Sequence, residues 1–95
     1  MSDEMKKIKL LLVDDEKDFM DSLARRLGKR DVDISTATEG KQAISLAKKE
    51  KYDVAILDMK MPGMDGMELL GILKKKHKFL EILIIDWIWW HRFSG

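Results

Sequence analysis

Four acidic side chains in this chain could do chemistry if the fold brings them together. Asp14, Asp15 and Glu16 form one run, and Asp58 lies far along the sequence. Each group follows a short apolar stretch, LLLV before the first and VAIL before the second. Two carboxylates about 4 Å apart repel by roughly 4 kcal/mol at an effective dielectric of about 20. A cluster of that kind has to be solvated, protonated or neutralised by a cation. Ligands that are all oxygen suit a hard ion, and an open site with few protein ligands suits Mg²⁺ better than Ca²⁺. An aspartate beside bound Mg²⁺ can also act as a nucleophile toward a phosphoryl group, because the metal offsets charge on the transferring oxygens. An acidic run after a strand has a simpler use as well, capping the next helix, and Asp15 or Glu16 could serve it. The recurrence of an acid at a second strand end, Asp58, makes the cluster the more specific reading.

The elements that must position these acids follow from apolar spacing. Ile8 to Val13 is a short apolar run bounded by charge, as expected of a strand buried on both faces. Phe19, Met20, Leu23, Ala24 and Leu27 repeat with helical spacing between Glu16 and Leu27, and Gly28 is the expected stop. Val32, Ile34 and Thr36 alternate with Asp33 and Ser35, which predicts a half-exposed strand. Glu39 to Lys51 is predicted helical, with Ala43, Ile44 and Ala47 inward. Asp53 to Asp58 contains a second buried strand, and Pro62, Gly63 and Gly66 mark a loop. Met67, Leu70 and Leu73 predict a third helix, followed by a fourth, buried strand from Leu80 to Ile85. Strands alternating with helices predict a parallel α/β sheet with helices on both faces, joined by right-handed crossovers. In such sheets ligands bind at the carboxyl ends of the strands, where both acidic groups stand.

The composition narrows the class. A chain of 95 residues makes one domain. Its net charge of +1 gives no steer toward nucleic acid or an anionic membrane. Cysteine is absent, so no disulfide or thiolate metal site is expected. The apolar stretch near the N-terminus is too short and too charged for a secretory signal, and Leu80 to Trp90 is too short to span a bilayer. The expectation is a cytoplasmic protein. The basic run Lys74, Lys75, Lys76, His77 and Lys78 is read as a solvated helix end complementing the dipole. His77 and His91 show no metal spacing, the methionines from Met59 to Met67 are read as packing, and Tyr52 is expected to pack at the start of the third strand.

Two stretches together resemble a known family. IKLLLVDDEKDF and, later, DVAILDMKMPGMDGMELL are similar to the receiver domain of two-component response regulators, over Ile8 to Ile85. The resemblance implies a flavodoxin-like sheet of order 2-1-3-4, normally completed by a fifth strand. It implies that Asp58 accepts a phosphoryl group from a phosphohistidine of a sensor histidine kinase, so the chain is a signalling module and not an enzyme. It implies Mg²⁺ bound directly by Asp15 and Asp58, by Asp14 through water, and by the backbone carbonyl of Lys60, with Pro62 and Gly66 shaping the loop that places Asp58. A phosphatase of the aspartate-nucleophile type is disfavoured, because Lys60 stands two positions after Asp58 where such enzymes use an acid.

The resemblance breaks after the fourth strand. Asp86 occupies the position of the hydroxyl residue that bonds the phosphoryl group, and the family's fifth-strand lysine and last helix have no counterpart. An ionised Asp86 cannot donate a hydrogen bond and adds negative charge, so impaired phosphorylation is expected if it points into the site; the alternative is an exposed strand-end acid that points away from it. Residues 86–95 form a divergent aromatic tail with Trp87, Trp89 and Trp90, as though the end of a receiver had been truncated or replaced. At ~25 cal/mol/Å² and ~150–250 Å² each, three tryptophans represent roughly 10–20 kcal/mol of gross burial energy. The tail is expected either to extend strand four and pair with a second molecule, or to fold back over its own sheet. The dimer is preferred, because a plug would leave the edge backbone unpaired.

Overall fold

The computed structural model describes residues 7–28, 31–59 and 63–85. Its elements are β1 (Ile8–Val13), α1 (Lys17–Leu27), β2 (Val32–Ala37), α2 (Gly40–Lys49), β3 (Val54–Asp58), α3 (Gly66–Lys76) and β4 (Glu81–Ile85). The four strands form one parallel sheet in the order β2-β1-β3-β4, as the alternating pattern predicts. The step from β1 to β2 runs one way across the sheet, and those from β2 to β3 and β3 to β4 run the other. Right-handed crossovers therefore put α1 on one face and α2 and α3 on the other. Packing between α2 and α3 agrees with this.

Strand residues alternate between those two faces. Leu11, Val13, Ala55 and Leu57 point toward α2 and α3, where they meet Ala43, Ala47, Leu69 and Leu73 in one buried cluster. The small side chains of Ala43 and Ala47 let α2 lie close to the sheet. Leu10 and Leu12 alternate to the other face, and both are buried, as is Met20 of α1. Between β3 and β4 that second face is thinly covered. Ile56 and its register partner Leu83 lie on it, and Leu83 is 56% exposed. Strand four is therefore not the fully buried strand its sequence suggests. Its α3-facing residues Ile82 and Ile84 pack on the core, while Leu83 has no helix over it among the described residues.

The third helix also differs from its apolar pattern. Leu69 and Leu73 are its buried pair, Leu70 is half-buried, and Met67 is 58% exposed. The rotation is set at the first turn. Asp65 caps the helix, its Oδ1 accepting the Glu68 amide at 2.8 Å, and Gly66 is pressed against the end of β3. With Gly66 facing the strand, residues three and seven positions later face it too, and Met67 turns outward.

Leu69→Ala should cost about 2–5 kcal/mol of stability and Met67→Ala less than about 1 kcal/mol in urea unfolding. Equal losses would mean the helix is rotated otherwise.

Candidate phosphoacceptor and metal site

Asp14 and Asp58 are the residues at which β1 and β3 leave the core. The β1–β3 register pairs Val13 with Leu57, so the two aspartates arrive side by side at the carboxyl edge of the sheet. Both are buried, Asp14 at 1% and Asp58 at 4% exposure, whereas Asp15 is exposed at the rim. One carboxylate oxygen from each of Asp14, Asp15 and Asp58 can be chosen so that all three lie within 4.8 Å of one another. Glu16 does not join them. It is the N-cap residue of α1 but makes no side-chain capping bond, so the capping role open to it is not realised. The turn is held instead by Asp14, whose Oδ1 accepts the Glu16 amide at 2.9 Å.

The electrostatics follow from this crowding. Burial, with the Asp58 and Asp15 charges adding to it, pushes the Asp14 carboxyl up to about 7, against the favourable bond from the Glu16 amide. A cation among the three carboxylates would reverse that balance. The donor set is all oxygen, with two ligands fixed in the sheet and one at its rim, which fits a hard ion such as Mg²⁺.

Asp58 owes its position to its backbone. The Met59 amide donates to the Ile85 carbonyl at 3.0 Å, which ties the end of β3 to β4. The Met59 carbonyl accepts the Gly66 amide at 2.9 Å, which ties it to α3. A Cβ on Gly66 would stand 2.3 Å from the Asp58 carbonyl oxygen, so no larger residue fits without moving Asp58. The turn before it uses Gly63 at φ 82°, in the left-handed region. The sequence pattern missed the Asp65 cap, although an acid followed three residues later by Glu68 was a usable sign of it. Lys60 and Pro62 lie outside the described residues, as do Asp86, Trp87, Trp89 and Trp90.

Fold and site together define a receiver. The family model for the response regulator receiver domain matches residues 10–86. Among solved structures, the Francisella response regulator 1452 receiver domain is 31% identical, with a TM-score of 0.78 over 84% of this chain and 66% of its own. The chemotaxis protein CheY4 of Vibrio cholerae is 31% identical, with a TM-score of 0.79 over 82% of this chain and 67% of its own. The response regulator TrrA from Thermotoga maritima, solved in complex with Mg²⁺-BeF, is 33% identical, with a TM-score of 0.80 over 93% of this chain and 76% of its own. The chain thus spans about two thirds of the length of the first two. It belongs to the response regulator receiver domain family. Receiver domains are signalling domains and not enzymes in the ordinary sense, and they are phosphorylated by sensor histidine kinases.

The raised Asp14 pKa makes stability depend on pH. The folded state holds a proton that the unfolded chain gives up near its ordinary value of 3.8, so the contribution is complete below that pH and is lost as pH rises through about 7. Without divalent metal, stability should fall by on the order of 3 kcal/mol between mildly acidic and mildly alkaline buffer. Mg²⁺ should restore it mainly on the alkaline side, and Asp14→Asn should flatten the profile. Urea unfolding at several pH values, with and without Mg²⁺, checks this.

Proposed function

We propose that the chain is a single receiver-like unit over residues 1–95, cytoplasmic, whose Asp58 accepts a phosphoryl group from a sensor histidine kinase. In this reading Mg²⁺ is held by Asp15 and Asp58, by Asp14 through water, and by the backbone carbonyl of Lys60. The observation that carries it is the convergence of three aspartates within 4.8 Å at the carboxyl edge of the sheet. An Asp58 Oδ atom attacks phosphorus. The new P–O bond forms as the P–N bond to the donor histidine breaks, and the imidazole keeps the electron pair and takes up a proton. When bound, Mg²⁺ offsets charge on the phosphoryl oxygens. Asp58 meets the donor from one direction only, since it is 4% exposed and its backbone is held from β4 and α3.

Transfer is impaired in this reading. Asp86 directly follows Ile85, the register partner of Asp58. An acid there adds negative charge near the phosphoryl oxygens and, while ionised, offers them no donor. Incubation with Mg²⁺ and acetyl phosphate, followed by intact mass, is the test. The expected result is slow, partial addition of one phosphoryl group, abolished by Asp58→Asn and accelerated about tenfold or more by Asp86→Thr. Rapid, complete phosphorylation that needs Asp58 would remove the impairment and keep the acceptor. Phosphorylation unaffected by Asp58→Asn would remove the acceptor.

A second reading rests on β4. It is an edge strand of the described sheet, and its own Leu83 is 56% exposed. Apolar edge strands pair with other chains. The corresponding proposal is a homodimer through β4 and the segment carrying Trp87, Trp89 and Trp90, a receiver-derived self-associating module without productive phosphotransfer. Light scattering after size exclusion at high micromolar concentration should give twice the chain mass, shifted toward the monomer by Leu83→Glu. A monomeric mass throughout would end this reading.

A further inference from the structure

At the amino end of the sheet, opposite the carboxylates, the end of α2, the start of β3 and the α3–β4 turn enclose a cleft of about 420 Å³. That volume lies in the small-ligand range of ~300–1,000 Å³. Its apolar surface comes from Ala47, Tyr52 and Leu80, with the ring of Phe79 beside them. Phe79 is 96% exposed, the most exposed large apolar side chain described, and it stands on the α3–β4 turn. That turn is held in shape, because Lys74 Nζ donates to the Leu80 carbonyl at 2.9 Å and the Lys78 carbonyl at 3.4 Å.

Charge sets the chemistry of an occupant. The acids that line the cleft are engaged with Lys9: Glu50 forms an ion pair with its ammonium, and Asp53 Oδ2 accepts its amide at 2.8 Å. Lys51, Lys76 and Lys78 also line the cleft and make no ion pair among the described residues.

We propose that this cleft binds a small aromatic carboxylate. The ring of the ligand lies against Phe79 and the apolar floor. Its carboxylate faces Lys51, Lys76 and Lys78. A cation of the same shape is repelled, and a neutral ring forgoes the attraction of three ammonium groups.

The test is a titration of the full chain, labelled with ¹⁵N, with 1-naphthoate, alongside 1-naphthylmethylamine, a similar ring carrying the opposite charge. Saturable shifts should centre on residues 47–53 and 76–80 and appear with naphthoate alone. Phe79→Ser should weaken binding about tenfold without unfolding the chain, since Phe79 is 96% exposed. Replacing Lys76 and Lys78 together with glutamate should weaken naphthoate and admit the amine. Absence of saturation at these residues, equal binding of the amine, or full affinity in both the Phe79 and the double-lysine variants would overturn the proposal.

Discussion

Two carboxylates buried side by side at the ends of adjacent strands are the costliest feature of this structure, and most of its local geometry serves to keep them there. Asp14 and Asp58 would separate if the chain were free, because neither burial nor proximity favours their ionised forms. They are held by the β1–β3 ladder, whose last register pair, Val13 and Leu57, is fully buried. The core of Leu11, Val13, Ala55 and Leu57 therefore does more than stabilise. It delivers two acids to one place and prevents the sheet from relaxing to part them. The cost persists as the raised affinity of Asp14 for a proton, and the same energy is available to a cation that replaces the proton.

The constraint passes outward from Asp58 through its backbone. Gly66 can meet the Asp58 carbonyl only because it lacks a Cβ, and that contact fixes where α3 begins. The helix start fixes its rotation, which sends Leu69 and Leu73 into the core and Met67 into solvent. A residue chosen for the acidic site thus decides which side chains build the core on that face. Site and core are not separable parts here. A change meant to repack α3 will be felt at Asp58, and a bulkier residue at position 66 will be felt in both.

The order of elements and the parallel sheet were legible in the sequence, because three strands are short apolar runs closed by charge, β2 alternates apolar and polar residues, and each helix carries a spaced apolar stripe. Asp14, Asp15 and Asp58 were legible too, since the strand-end rule alone sends them to one edge. Three things were not. Periodicity counts the apolar positions of a helix without fixing its rotation, so Met67 stood in for Leu69 until the Gly66 contact was known. Apolar runs do not reveal how many faces are covered, and Leu83 is exposed because covering a strand depends on helices that arrive from elsewhere in the chain. Adjacency in sequence is also not adjacency in a site, since one step beyond Asp15 the chain has already turned into α1 and carried Glu16 out of the cluster.

Net charge misleads for a related reason. A formal charge of +1 suggests a surface without electrostatic character. The fold instead gathers particular charges at particular places. Acids gather where β1 and β3 end, while Lys51, Lys76 and Lys78 line the cleft where β3 and β4 begin, beside Glu50 and Asp53, which are engaged with Lys9. In a parallel sheet every strand points the same way, so residues at strand starts and residues at strand ends collect on opposite edges. Short-range recognition responds to those local collections, because solvent-exposed charges more than about 8 Å apart are largely screened from one another at physiological salt. Strand β3 is five residues long, so its ends lie roughly 13 Å apart at ~3.3 Å per residue. At that separation the coupling between the two edges is weak, and one small domain can carry an acidic cluster at one edge and a group of lysines at the other without either cancelling the other.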